Sequence, residues 1–240
     1  MMTLPSGQEP RNVPKAKMKK QIGILALSIS AALISHAGST NSVSATPNTT
    51  VPDGNPVGLL STLNVSGVSG LASDVTVSLN LTGGFNGDLY AYLLSPQGSL
   101  VVLLNRVGMS SGNAFGYSDA GFNITLDSAA ANNVHFYQND ISPFTGQLTG
   151  TWAPDGRTID PMDSTPSQFN ADPTGNTLAD LDGVNPNGAW KLFIADLSGG
   201  GQSTLVSWGL TVVTVPEPQT WTLVGGSLAA FWLLTRKRRK

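Results

Sequence analysis

From Val75 to Leu81 the chain alternates strictly: Val75, Val77, Leu79 and Leu81 are apolar, and Thr76, Ser78 and Asn80 between them are polar. Side chains on a strand point to opposite faces in turn, so such a segment buries one face and wets the other. The same period recurs in Phe122, Ile124 and Leu126, in Trp190, Leu192 and Ile194, and in Val206, Trp208, Leu210 and Val212. Segments 89–94 and 100–104 flank Ser95-Pro96-Gln97-Gly98, a turn sequence, and read as a hairpin. Gly, Asn, Asp or Pro fills nearly every interval, and no long helical period occurs between 46 and 213. Strands with one apolar face must cover it with a second sheet, so the expected fold is all-β: an antiparallel β-sandwich of jelly-roll type. Residues 138–187 are poor in apolar side chains and hold six prolines, which predicts long loops over the sandwich and one edge strand near 148–152.

Charge is segregated along the 240 residues. Arg11, Lys15, Lys17, Lys19 and Lys20 lie near the start, and Arg236, Lys237, Arg238, Arg239 and Lys240 close the chain. Between 46 and 216 only Arg106, Arg157 and Lys191 are basic, against 13 Asp and no Glu, a net charge of −10. That stretch would repel nucleic-acid phosphates, so no nucleic-acid partner is expected. Cysteine is absent, which excludes disulfides, a thiol nucleophile and zinc thiolate sites.

The chemistry available to the middle region is narrow. A serine hydrolase needs a histidine base, and the chain has two histidines, His36 and His135. His36 falls in the leader described below. His135 lies apart from any serine nucleophile motif and is read as structural. No catalytic residue is expected. Asp160 with Asp163, or Asp180 with Asp182, could be imagined as paired glycosidase acids, but turn-forming aspartate is the simpler reading. Trp152, Tyr90, Tyr92 and Tyr137 would suit stacking on sugars if exposed, and core packing otherwise. Calcium takes hard oxygens at strand ends, and Asp88, Asp196, Asp180 and Asp182 are the candidate ligands. Solvated turn carboxylates are the competing reading.

The ends read as targeting segments. Lys15 to Lys20 precede an apolar run of 13 residues, 22–34, followed by Ser35-His36-Ala37 and, further on, Val43-Ser44-Ala45. A basic stretch, a short apolar run and small residues at a cleavage position describe a secretory signal peptide. This assigns 1–45 to a polar extension and leader, 46–56 to a Ser/Thr/Asn/Pro linker within a polar stretch that begins at Ser39, and 57–214 to the sandwich. At the other end, Val215, Pro216, Glu217 and Pro218 break the last strand, because proline cannot donate to a ladder. An uncharged run of 14 residues, 221–234, then leads to the basic cluster 236–240, the pattern of a short transmembrane helix with its positive end in the cytoplasm.

That tail resembles the PEP-CTERM sorting signal: Pro216-Glu217-Pro218, the apolar run and the Arg/Lys end stand in the family's order. The resemblance implies an exosortase-type processing enzyme as partner, transient anchoring in the inner membrane, and release to the envelope or matrix. The middle resembles the P domain, or Homo B domain, of subtilisin-like proprotein convertases. The matching residues are Gly87-Asp88-Leu89, Leu93, Ser95-Pro96-Gln97-Gly98, the run Gly188 to Asp196 with Trp190, Leu192 and Ile194, then Leu205, Trp208 and Leu210. This resemblance implies a jelly-roll sandwich that packs beside a serine protease domain and stabilises it. Where the family often carries a second Asp and a Gly, this chain has Leu197-Ser198-Gly199-Gly200-Gly201-Gln202-Ser203-Thr204. Two functions follow as expectations. One is a non-catalytic surface or matrix protein whose sandwich binds exopolysaccharide or another surface protein. The other is an accessory module for a subtilisin-like protease.

Overall fold

The computed structural model describes residues 38–141, 146–171, 173 and 175–215. The expected signal helix, Pro216, Glu217, Pro218, the short transmembrane helix and the basic residues 236–240 lie outside the described residues. Among the described residues ten strands make up the framework: β1 Ser39–Ala45, β2 Thr49–Thr50, β3 Asn55–Val65, β4 Leu71–Gly83, β5 Leu89–Leu94, β6 Leu100–Asn105, β7 Phe122–Leu126, β8 Leu148–Trp152, β9 Gly188–Asp196 and β10 Ser203–Val215. They form two sheets, one ordered β1-β10-β4-β7-β8 with β2 also on β10, the other β3-β9-β5-β6. The chain passes from sheet to sheet between β2 and β3, β3 and β4, β4 and β5, β6 and β7, β8 and β9, and β9 and β10, which makes a β-sandwich.

The alternating apolar positions supply the core. Val75, Val77, Leu79 and Leu81 of β4 face Trp190, Leu192 and Ile194 of β9 across the layer, and all are buried. Trp190 and Trp208 are fully buried, and each indole N–H still finds an acceptor, on the Pro186 carbonyl and the Ser61 hydroxyl, both at 2.8 Å. Buried indoles contribute large apolar area without leaving a donor unmet. A chain with no disulfide depends on this burial.

Three expectations are corrected. The stretch from Ser39 is not a free linker, because β1 pairs along its whole length with β10, from Ser39↔Thr214 to Ala45↔Trp208. Its polarity suits a sheet edge, with only Asn41, Val43 and Ala45 half-buried. Val51, within the expected linker, is fully buried and donates its N–H to the Ser203 carbonyl at 2.8 Å. Second, the sandwich is not wholly antiparallel. The expected edge strand is β8, yet it runs parallel to β7, because the intervening chain, including the 3-10 helix Val134–Asn139, carries it back to the same end. Third, a bulge between Leu205 and Ser207 turns Leu205 into the core and leaves Val206 half-buried. Trp152 and Tyr137 are also buried, so neither offers a sugar-stacking face. Tyr90 and Tyr92 are half-buried, and Tyr92 stacks on Phe193 with ring centroids 4.8 Å apart.

Candidate functional site

Two of the candidate aspartates, Asp88 and Asp196, meet at one end of the sandwich. Gly87 and Asp88 sit in a 3-10 turn, Asn86–Asp88, that feeds β5. Gly87 is required there, since a Cβ would stand 2.5 Å from the Phe115 carbonyl oxygen and 2.6 Å from Gly116 Cα. The close approach brings the 115–118 loop over Asp88. Asp196 ends β9 and lies opposite Leu89 in the ladder, so β5–β9 pairing brings it next to Asp88, near enough for the two carboxylates to repel. Asp53 arrives from the turn before β3 and accepts the Gly200 N–H at 3.2 Å from each oxygen. Asp53 had no signal in the sequence, because it lies in a stretch that reads as linker.

The three carboxylates are differently served. Asp88 has Arg106 Nη2 at 3.8 Å, a loose contact, while Arg106 Nε also donates to the Gly87 carbonyl at 3.3 Å. Burial raises the Asp88 carboxyl above its ordinary range, Arg106 and the Ser198 hydroxyl oppose this, and Asp53 adds to it. Asp196 is fully buried, and neither of its oxygens has a hydrogen-bond partner. Its carboxyl is pushed up to about 6, by burial first and then by repulsion from Asp88 and Asp53; the Ser198 N–H and Ser203 hydroxyl pull the other way. Neither of those donors reaches hydrogen-bond geometry, and Ser203 Oγ is itself buried without a partner. A cleft of about 350 Å³ opens onto Asp88 and Ser198 between Phe85, Phe115 and Tyr117. Phe115 is 81% exposed at its rim.

Asp180 and Asp182 do not join this group. Asp180 accepts the Thr177 N–H at 2.6 Å as part of a capping box. Asp182 follows in the same turn, and its carboxyl is raised by burial, Asp74 and Asp180. Their segment is bonded to Ala72 at the start of β4, whereas Ser203 packs by Gly84, just past its end. At the rise of a strand, the 13 residues of β4 separate these places by roughly 40 Å. Among the described residues, no three carboxylate or imidazole groups converge as a ready-made metal centre.

The histidine belongs to a second cluster, which sequence reasoning missed. His135 is buried between two acceptors, with Nδ1 2.7 Å from Asp155 Oδ2 and Nε2 3.0 Å from the Met109 carbonyl. Arg157 Nη1 donates to Asp155 Oδ1 at 2.9 Å, and the guanidinium lies 4.9 Å from the centre of the Phe136 ring. The Asn105 N–H donates to Asp155 Oδ2 at 3.1 Å. A general base needs a free nitrogen facing a nucleophile. Here both nitrogens are engaged, and no serine hydroxyl bonds to the ring among the described residues. The arrangement ties the loops after β6 and β8 to the 3-10 helix Val134–Asn139.

Residues 72–135 match the proprotein convertase P-domain family. That span runs from β4 through β5, β6 and β7 to His135. Among solved structures, the chain is similar to a serine protease of Aeromonas sobria in complex with the chaperone, at 14% identity and a TM-score of 0.40, covering 74% of this chain and 26% of that one. It is also similar to the serine protease of Aeromonas sobria, at 14% identity and a TM-score of 0.38, covering 73% and 26% respectively. The chain thus spans about a quarter of the length of those structures. No curated protein matches it.

Proposed function

We propose that this chain is a non-catalytic, exported surface protein whose sandwich is a P-domain-type module, delivered by the leader and sorted by the tail. The observation that carries the module is the P-domain match over 72–135. The engaged His135 supports a role without hydrolysis. Export and exosortase-type sorting rest on the two terminal sequences, with Pro216-Glu217-Pro218 as the processing motif. The family match also favours a second reading, an accessory to a subtilisin-like serine protease. Under it, the full chain raises the melting temperature of a protease that lacks such a module of its own.

The fold bears on where the leader is cut. Processing after Ala45 would remove β1, which pairs with β10 over seven residues. Processing after Ala37 leaves that strand whole. Mass spectrometry of the termini of the exported protein is the test. The expected mature form begins at Gly38 and ends near 215–218. An extracellular form that keeps Lys240 overturns exosortase processing, and one that begins at Thr46 overturns the assignment of β1 to the mature module.

A further inference from the structure

We infer that the Asp88–Asp196 end of the sandwich binds a divalent cation of calcium type. The inference begins with the oxygens that the fold leaves unmet. Buried polar groups nearly always have partners, and a buried carboxylate is the costliest exception. Asp196 has two such oxygens, and Ser203 Oγ beside it is a third. The two residues stand on neighbouring segments, at the end of β9 and the start of β10. Asp88 adds negative charge beside Asp196 from the 3-10 turn before β5, and Asp53 adds more from the turn before β3. The nearest opposing charge, Arg106, stays 3.8 Å from Asp88. Three segments therefore deliver hard oxygens to one place, and the donors nearest Asp196, the Ser198 N–H and the Ser203 hydroxyl, fall short of hydrogen-bond geometry.

The donor set selects the ion. Carboxylate and hydroxyl oxygens suit calcium or magnesium; the chain has no thiol, and among the described residues no free imidazole is present to attract zinc or copper. Calcium accepts irregular sets of six to eight oxygens, whereas magnesium demands a near-octahedral one. Two carboxylates and a hydroxyl leave several positions to water; the neighbouring cleft reaches Asp88 and Ser198, while Asp196 and Ser203 are buried and do not line it. A site with so few protein charges is weak, in the range of extracellular calcium modules, about 0.1–1 mM. A proton on Asp196 is the competing remedy. The carboxyl is pushed up to about 6, so a proton serves in acid and is largely gone above neutrality.

The test is a thermal melt of the purified full chain at pH 7.5 and fixed ionic strength, with calcium, with magnesium and with chelator. At a hundred times the dissociation constant, calcium should raise the melting temperature by about 5–10 °C. Magnesium should do clearly less, and Asp196→Asn and Asp88→Asn should each remove the calcium preference. Terbium gives an independent reading on the unaltered chain: excitation of Tyr117, on the wall of the cleft, should sensitise its emission, and calcium should quench the signal by displacement. That arm decides the matter if either variant fails to fold. Identical melts in calcium and chelator overturn the inference, as does an equal shift with both cations, which is charge screening. A calcium preference that survives both substitutions places the ion elsewhere and also overturns it.

Discussion

Two buried aspartates, Asp155 and Asp196, sit at comparable depth and meet different company. Asp155 has Arg157 at 2.9 Å, His135 at 2.7 Å and the Asn105 N–H at 3.1 Å. Within that cluster only Arg157 Nε and Asn105 Oδ1 go without a partner. Asp196 has no hydrogen-bond partner, two acidic neighbours in Asp53 and Asp88, and a serine hydroxyl that is itself unpartnered. Three basic residues serve the thirteen aspartates of the middle region, and one of them, Arg157, is taken up by Asp155 and the Ala171 carbonyl. The first cluster pairs its carboxylate with a guanidinium and acts as a clasp between loops. The second leaves its buried carboxylate without a partner, which is the ground of the cation inferred above. Satisfaction of buried charge, more than the presence of aspartate, separates the structural site from the binding one.

The largest effect should come from breaking the clasp. Asp155→Ala leaves the Arg157 guanidinium, 3% exposed, without its carboxylate, and removes the acceptor for His135 Nδ1. Stranding a buried charge costs about 3–5 kcal/mol. Chemical denaturation of the full chain should show a loss of that size, unchanged by calcium. A loss below about 1 kcal/mol, the scale of an exposed ion pair, would remove the contrast between the clusters.

The legible part of this molecule is the part governed by local alternation. The pattern Val75, Val77, Leu79, Leu81 carries the strand and its buried face together, and the Ser95-Pro96-Gln97-Gly98 turn carries the β5–β6 hairpin. Asp88 and Asp196 are legible as a pair, because strand ends collect at the ends of a sandwich. Asp180 and Asp182 have the same local signature and end roughly 40 Å away, since only long-range pairing decides which end a turn occupies. Asp53 and β1 were hidden for a related reason. A polar edge strand has no apolar face to reveal it, and Ser39–Ala45 is held by ladder bonds to a partner about 170 residues later. The His135 clasp joins residues 105, 135, 155 and 157 through contacts that no spacing announces.

A middle-sized effect should appear in the pH dependence of the second cluster. Asp196 rises from its ordinary 3.8 to about 6 on folding, by burial first and then by repulsion from Asp88 and Asp53, with the Ser198 N–H and Ser203 hydroxyl opposing. The folded chain therefore binds this proton more tightly than the unfolded one. The advantage is whole below about pH 4 and is lost as pH climbs to about 6, beyond which the charged carboxylate is a fixed penalty on the order of 2–3 kcal/mol. In chelator, stability should fall across that window, and Asp196→Asn should flatten the slope and gain stability at neutral pH. Calcium should restore the wild-type protein above pH 6. A variant with the wild-type slope would show that some other group carries the titration.

The smallest effect, and the sharpest for the comparison, concerns Arg106. This side chain is the nearest thing to a counter-ion that the second cluster has. Its contact is long, 3.8 Å, and its side chain keeps 16% of its exposure, so the pair is far weaker than the clasp. Arg106 also occupies the left-handed region, with φ of 49°, so the test substitution should keep the backbone requirement comparable and change only the charge. Arg106→Gln does this. In chelator it should cost about 1 kcal/mol or less, the scale of a loosely held ion pair. In saturating calcium the cost should shrink further, because the bound ion takes over the neutralisation of Asp88. Calcium affinity itself should rise several-fold, since a positive charge beside the site has been removed, and the gain should fade as salt screens it. Titration of the melting temperature against calcium measures both quantities in one series. Equal destabilisation with and without calcium, at unchanged affinity, would mean that Arg106 acts through its bond to the Gly87 carbonyl and not through its charge.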